Sequence, residues 1–136
     1  VGNICRSPAA QYLLRHSLPG LSVRSAGLGA LVGRPISGNI YQLLIARGID
    51  ASAHRAQPLA EWMVRQANLV LVVEQSHRLH IERLYPFARG KVFRICEAQA
   101  QDVPDPYLKT QADYQHSLDL IEQGLQPWVD KIRALG

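Results

Sequence analysis

The stretch VGNICRSP, residues 1–8, is the most informative part of this sequence, because its residue types indicate both a local backbone conformation and a class of ligand. Gly2 and Asn3 tolerate left-handed backbone conformations, and Pro8 suits the first turn of a helix. A turn of this kind lets successive N–H groups converge on an anion, and the following helix adds its free N–H groups and positive dipole end. The stretch therefore predicts a phosphate-binding loop that opens a helix.

Two side chains in this stretch suit phosphate. Arg6 offers a planar fork for two phosphate oxygens, and the Ser7 hydroxyl can cap the helix or donate to a thiolate. A Gly-Asn turn followed by an ordinary helix cap explains the same residues without any ligand. Residue types alone leave both interpretations open.

Helical and strand-like stretches alternate along the rest of the chain, which is typical of an α/β fold with a parallel sheet. The run LVLVV at 69–73 is continuously apolar, as a central parallel strand should be. Gly48 should end the second helix, and Pro127 should kink or split the last. Predicted helices cover 8–17, 38–47, 59–67, 74–84 and 112–135, and predicted strands cover 21–25, 69–73 and 92–95.

Composition indicates one globular domain of 136 residues. The net charge is +4, and twelve of the fifteen basic residues are arginine, which suits either a solvated basic surface or an anionic substrate. No basic run interleaved with aromatics suggests nucleic acid, and no apolar run of about 20 residues suggests a membrane span. Two cysteines without metal-ligand spacing favour a reducing, cytoplasmic environment.

Three segments in order resemble the low-molecular-weight protein-tyrosine phosphatases. With one cysteine ahead of Val1, the opening reads as that family's C-x5-R-S phosphate loop. SAGLGALVG at 25–33 resembles the segment that walls the family's cleft, and VPDPY at 103–107 resembles its general-acid loop. The resemblance spans the whole chain.

The resemblance implies a three-layer α/β sandwich with a four-stranded parallel sheet in the flavodoxin-like order 2-1-3-4. Its first strand and nucleophilic cysteine would precede Val1, so 1–136 would be a single, N-terminally incomplete phosphatase domain. We therefore expect the chain as given to bind phosphate without turning over substrate. The residues implied to bind phosphate are Val1, Gly2, Asn3, Ile4, Cys5, Arg6 and Ser7.

The implied mechanism needs no metal or other cofactor. The cysteine ahead of Val1 would attack phosphorus and form a phosphocysteine, with Arg6 stabilising the charge on the phosphoryl oxygens. Asp105 would be the general acid, held between Pro104 and Pro106. A plain surface turn is the alternative for these three residues.

Other residues take roles from the resemblance as well. Leu31 and Tyr107 would wall the substrate, although Leu31 fits equally well as a loop anchor in the core. Cys5 would form a reversible disulfide with the nucleophile or serve as a small buried hydrophobe. Asn3, Ser7 and Ser25 would brace the loop, whereas His54 and Cys96 are expected to be structural.

Departures from the animal pattern, such as Leu108 after Tyr107, favour the bacterial branch linked to exopolysaccharide and capsule export. The substrate would then be a phosphotyrosine protein, namely a membrane-associated tyrosine kinase, with inorganic phosphate as a competitive ligand. Arsenate reductases share this loop, but they need further cysteines to relay a disulfide, and only Cys96 is available. A non-catalytic phosphate-binding module remains the alternative if no cysteine precedes Val1.

Overall fold

The computed structural model describes residues 2–135 and has an α/β architecture. Strand β1 (Val70–Val72) pairs in parallel with strand β2 (Val92–Arg94), with Val70 opposite Val92. The connection between them is helical, as parallel pairing requires. The helices are α1 (Arg6–Ser17), α2 (Gly38–Ile45), α3 (Glu61–Gln66), α4 (Gln75–Leu84) and α5 (Gln111–Leu135), with a 3-10 turn at Pro86–Ala88.

Helices pack on both faces of this sheet. Along β1 the side chains alternate, so Leu71 and Val73 join one hydrophobic cluster while Val70 and Val72 join another. The first and larger cluster contains the buried faces of α1, α2 and α5, and the second contains those of α3 and α4. The sheet therefore lies between two helical layers.

The five predicted helices are confirmed to within two residues at each end. Helix α2 ends as Gly48 predicts, with φ +76° at Gly48 and N–H groups of Gly48 and Ile49 donating back to Ile45 and Leu44. Helix α5 continues through Pro127, so the predicted split is wrong and the alternative, a kink at Pro127, stays a prediction. Pro127 leaves the carbonyl group of Gln123 without its usual N–H, and Gln123 is exposed, so water can satisfy that carbonyl.

The predicted strand at 21–25 is wrong. This segment has no ladder partner among residues 2–135, and its Val23 carbonyl instead accepts hydrogen bonds from the Arg15 guanidinium at 3.1 and 2.8 Å. A single parallel bridge joins Gly27 to Pro58 farther along. Within the described part of the chain, the expected four-stranded sheet is thus represented by the pair β1–β2.

None of the helices in the described range is long and apolar enough to cross a membrane.

Candidate active site

Asn3 lies at the centre of the loop that precedes α1. Its backbone is left-handed, with φ 60°, and its side chain is almost fully buried. The side-chain amide donates to Ser7 Oγ at 2.8 Å and to Ser25 Oγ at 3.0 Å, and its oxygen accepts from the Gln57 N–H at 3.0 Å. The bracing network expected of Asn3, Ser7 and Ser25 is present, with Gln57 as an unpredicted member.

The loop's carbonyl groups are used to anchor it to neighbouring segments. The Gly2 carbonyl accepts from the Leu31 N–H at 3.0 Å, and the Ile4 carbonyl accepts from the Ser37 N–H at 2.7 Å. The first N–H groups of α1 have no acceptor within the helix. Anchored acceptors and free donors at a helix start suit an anion rather than a cation.

His54 contacts the same loop through its ring. Its Nε2 lies 2.7 Å from the Asn3 carbonyl oxygen, and because that oxygen only accepts, Nε2 carries the proton and donates. Burial lowers the pKa of His54, which keeps the ring neutral near pH 7. His54 is structural, as expected, but the structure it holds is the candidate phosphate loop.

Arg6 is held in one orientation by two acceptors. Its buried guanidinium donates from Nη1 to Glu74 Oε2 and to the Val103 carbonyl, both at 2.7 Å. Glu74 lies two residues beyond the end of β1, at the carboxyl edge where parallel sheets place their ligand sites. That position is the signal by which the sequence could have identified Glu74, which we did not predict as a site residue.

Asp105 approaches the other side of the same guanidinium. Its Oδ2 lies 3.8 Å from Arg6 Nη2, and about half of its side chain (53%) is exposed toward solvent. Two hydrogen bonds fix the backbone just before Asp105, because Val103 N–H donates to the Val73 carbonyl at 2.9 Å and Ser117 Oγ donates to the Pro104 carbonyl at 2.8 Å. A carboxylate on a fixed loop beside a buried arginine is suited to proton transfer.

These residues surround one cleft of about 240 Å³. Leu31 and Tyr107 are part-exposed and contribute apolar surface to its lining, as expected of substrate walls. Val1, also predicted to bind phosphate, lies outside the described residues. The cleft is lined by Gly2, Asn3, Ile4, Cys5, Arg6, Ser7, Gly29, Leu31, Asp105 and Tyr107.

Neither cysteine has the character of an activated thiolate. Burial raises the pKa of Cys5 to about 11, so its thiol is protonated at neutral pH although it lines the cleft. Burial also raises the pKa of Cys96, whose Sγ donates to the Leu120 carbonyl at 3.3 Å. Across residues 2–135 no group of three or more His, Cys, Asp or Glu residues is placed to hold a metal ion.

Comparison with known proteins agrees with this fold and cleft. The chain belongs to the family described as "Low molecular weight phosphotyrosine protein phosphatase", which it matches over residues 1–135. The family resemblance drawn from the opening loop is thereby confirmed, and the relatives below place it among bacterial members, as expected.

Two relatives show how close the match is. The chain is 46% identical to the "Probable low molecular weight protein-tyrosine-phosphatase EpsP" of Ralstonia nicotianae, over 100% of this chain and 94% of that protein. It is 33% identical to the "Low molecular weight protein-tyrosine-phosphatase Etp" of Escherichia coli K12, over 96% of this chain and 89% of that protein.

Solved structures match equally well. Vibrio vulnificus Wzb in complex with benzylphosphonate superposes with a TM-score of 0.92 at 33% identity, covering 96% of this chain and 93% of Wzb. The YwlE arginine phosphatase from Geobacillus stearothermophilus superposes with a TM-score of 0.91 at 30% identity, covering 98% of this chain and 89% of YwlE.

Proposed function

We propose that this protein hydrolyses phosphotyrosine in protein substrates through a phosphocysteine intermediate. The observation that carries the proposal is one cleft in which the loop of residues 2–7 brings the buried Arg6 beside the half-exposed Asp105. Family membership supports the same activity. Tyr107 adds an aromatic ring suited to contact the phenyl ring of the substrate.

In this proposal the nucleophile is a cysteine thiolate directly before Val1, as the family's loop places it. The free N–H groups of α1 and the Arg6 cation would lower the pKa of a thiol at that position. The thiolate attacks phosphorus, an S–P bond forms, and the P–O bond to the phenolic oxygen breaks. Cys5 is unsuited to this step because its pKa is about 11.

The remaining steps use Arg6 and Asp105. Arg6 and the loop N–H groups stabilise charge on the phosphoryl oxygens, and Asp105 gives a proton to the departing phenolate. Water then attacks phosphorus while Asp105 accepts one of its protons, which releases inorganic phosphate and restores the thiolate. Inorganic phosphate should compete with substrate because it occupies the same donors.

We also propose the finer architecture that the family resemblance implies for the single domain 1–136. A strand ahead of Val1 would feed the loop and would also give residues 21–25 the ladder neighbour that they lack among residues 2–135. Together with β1 and β2 as third and fourth strands, these two would make a four-stranded parallel sheet of order 2-1-3-4. The support is positional: the loop shares the carboxyl edge of the sheet with Glu74 and Val103.

The substrate we propose is a membrane-associated bacterial tyrosine kinase of polysaccharide export, reached from the cytoplasm. Support comes from the sequence features of the bacterial branch and from similarity to EpsP and Wzb. A phosphoarginine substrate is the second candidate, because the YwlE arginine phosphatase has the same fold. Arsenate reduction is disfavoured, because Cys96 is buried against α5 at Gly124, away from the cleft.

The test begins with the protein bearing its natural N-terminus. The protein is treated with iodoacetate at mildly acidic pH, with and without inorganic phosphate, and its peptides are mapped by mass. We expect a label that phosphate suppresses on a cysteine before Val1, and none on Cys5. If another residue precedes Val1, or if Cys5 takes the label, the enzyme proposal fails in favour of a phosphate-binding module.

Substrate class is then decided by rates on matched peptides that differ only in phosphotyrosine or phosphoarginine. We expect kcat/KM to favour phosphotyrosine, and the reverse order would transfer the assignment to arginine phosphatase. Release of arsenite from arsenate with a thiol reductant is measured in parallel and should stay at the level of the blank.

A further inference from the structure

Outside the cleft, basic side chains and exposed aromatic rings lie side by side on the surface, although they come from separate parts of the sequence. We call Arg24, Trp62, Arg65, Phe87 and Lys91 the cationic–aromatic strip. The Arg24 guanidinium lies 4.8 Å from the Trp62 ring centre, and the Arg65 guanidinium lies 4.3 Å from the Phe87 ring centre. Lys91 Nζ lies 5.8 Å from the same Phe87 ring. Trp62 and Arg65 are three positions apart on α3, which joins the two halves.

The strip is exposed and carries excess positive charge. Trp62 is 45% exposed and Phe87 is 41% exposed, so both rings have surface that a partner can contact. Arg65 forms an ion pair with Glu61 at 2.9 Å. The three cations of the strip, Arg24, Arg65 and Lys91, therefore outnumber this one carboxylate. Lys91 also donates to the carbonyl groups at the end of α3, which holds it in place.

The strip adjoins the candidate active site through the backbone. Gly27 pairs with the segment that leads into α3, because its N–H donates to the Gln57 carbonyl and its carbonyl accepts from the Leu59 N–H. Two residues farther on, Gly29 lines the cleft. The Cα atoms of Arg24 and Gly29 are separated by five peptide units, so they lie at most about 18 Å apart. An extended segment of at most about five or six residues is therefore enough to span the separation.

We propose that the cationic–aromatic strip binds an acidic segment of the phosphorylated protein that lies within about five or six residues of the phosphorylated side chain. This inference rests on the proposed function and specifies the substrate class of the same site. Carboxylates of the segment would face the arginines of the strip, and an apolar side chain between them would pack on the exposed ring edges.

An acidic protein segment fits the strip better than nucleic acid. Unpaired bases bind proteins by stacking on open aromatic faces, and here an arginine already covers one face of Trp62 and one face of Phe87. The guanidinium groups still have N–H donors at their edges, which are suited to carboxylates. The ordinary alternative is that the arginine side chains only cover apolar rings, in which case no ligand would respond to their removal.

Binding is measured first, without catalysis. A dye-labelled, unphosphorylated peptide with four acidic residues and one leucine is titrated with the protein, and fluorescence anisotropy is recorded at low salt. The variants are Arg24→Gln and Arg65→Gln, alone and combined, so that the combined variant lowers the net charge by two. Lys131→Glu is the matched control, because Lys131 is exposed and lies 5.1 Å from the ring centre of Trp128 on α5.

We expect the combined variant to raise the Kd about tenfold and Lys131→Glu to change it less than about twofold, since exposed ion pairs each contribute modestly. The difference should shrink as salt screens the charges. Equal loss in Lys131→Glu would show that net charge alone acts and would overturn the proposal. Tighter binding of an oligonucleotide or an anionic vesicle than of the peptide would overturn it as well.

Kinetics then separate this inference from the proposed function. With p-nitrophenyl phosphate, every variant should keep the parent kcat/KM, because the strip lies outside the cleft. With a phosphotyrosine peptide that carries acidic residues at the stated spacing, kcat/KM should fall about tenfold in the combined variant, in line with the loss of binding. If acidic and neutral peptides react alike in every variant, the strip has no role while the phosphatase stands. If no phosphate ester is hydrolysed but the acidic peptide still binds, the phosphatase fails while the strip stands.

Discussion

The Arg6 guanidinium donates to the Glu74 carboxylate over 2.7 Å, although the two residues are 68 positions apart in the chain. Arg6 is buried while Glu74 is about one-third exposed (31%), so the carboxylate offsets a cation that has little contact with water. The Val103 carbonyl takes the second bond from the same nitrogen, which leaves Nη2 on the side of Asp105. The orientation of the proposed phosphate-binding fork is therefore set by β1 and by the Asp105 loop.

Replacing Glu74 should weaken phosphate binding by releasing Arg6. In Glu74→Ala the buried guanidinium keeps the Val103 carbonyl and the more distant Asp105 carboxylate but loses its close ion pair. We therefore expect phosphate to bind about tenfold more weakly and the free energy of unfolding to fall by about 1–3 kcal/mol. Glu74→Gln retains an acceptor oxygen and should stay close to the parent in affinity. Isothermal titration with inorganic phosphate checks both variants, and equal affinity in Glu74→Ala and the parent would remove Glu74 from this role.

Replacing Arg6 by lysine should cost most of the phosphate affinity despite conserving charge. Lysine offers a single ammonium group in place of the planar fork, so it cannot contact two phosphoryl oxygens together with Glu74 and Val103. We expect phosphate binding to fall at least about tenfold, as for the loss of one charge-assisted hydrogen bond of about 1.5–3 kcal/mol. Arg133→Lys is the control, since the Arg133 guanidinium is exposed and donates to the Ser17 carbonyl at 2.9 Å.

Asp105→Asn should slow hydrolysis in proportion to the basicity of the leaving group. An amide cannot protonate the departing oxygen, and basic phenolates need that proton far more than acidic ones. We expect a loss of about 10²–10⁴-fold with a phenyl phosphate of high leaving-group pKa and a much smaller loss with a strongly acidic phenol.

Rates along a series of aryl phosphates test this, with kcat plotted against leaving-group pKa. The parent should give a shallow slope and Asp105→Asn a steep negative one. Parallel lines of equal slope would mean that Asp105 does not supply the proton.

Local sequence was enough to predict the elements that carry the site. The left-handed Asn3, the start of α1 and the Pro-Asp-Pro loop depend on short-range backbone preferences, and the structure has them where they were expected. Leu31 and Tyr107 come from the family resemblance, and both reach the cleft.

The features that we did not predict correctly from the sequence depend on residues far apart in the chain. Glu74 gains its contact with Arg6 only when β1 is in place, and nothing within α4 itself marks it for that role. The prediction of a strand at 21–25 was wrong for the same reason, namely dependence on a distant partner. A strand-like pattern forms a strand only where a neighbouring strand supplies the hydrogen bonds of the ladder. In the structure, Arg15 takes the Val23 carbonyl instead.

Gly124 should be intolerant of any side chain, because α5 crosses very close to the end of β2. A Cβ at this position would lie 2.6 Å from Cys96 Sγ, 2.9 Å from Ile95 Cγ2 and 3.0 Å from the Ile95 carbonyl oxygen. Alanine gains up to about 1 kcal/mol of helix propensity, but overpacking typically costs about 1–3 kcal/mol and the backbone oxygen cannot rotate away. We expect Gly124→Ala to lower the free energy of unfolding by about 1–2 kcal/mol in urea denaturation.

Gly38→Ala is the matched control, since Gly38 begins α2 with open space around its Cα. It should be neutral or slightly stabilising. The double variant Gly124→Ala with Cys96→Ala removes the sulfur and should recover part of the loss. Full stability in Gly124→Ala alone would contradict the close approach of α5.

Stability should fall at mildly acidic pH because of His54. Burial lowers the folded-state pKa of His54 below its unfolded value near 6.5, and the nearby Arg55 and Arg15 lower it further. Between those two values the unfolded chain binds more protons than the folded one, so the free energy of unfolding rises with pH up to about 6.5 and levels off above it. Protonation of His54 would also place a buried positive charge next to the Asn3 carbonyl, which belongs to the candidate phosphate loop.

Urea denaturation of the parent and of His54→Gln at pH 5.5 and pH 7.5 tests this directly. Glutamine keeps an N–H donor for the Asn3 carbonyl but does not titrate, so the variant should lose less stability on acidification than the parent. Burial also lowers the pKa of His77, so the stability of His54→Gln should still depend on pH to some extent. That dependence should become smaller in the double variant with His77→Gln. An unchanged pH dependence in His54→Gln would assign the effect to other groups.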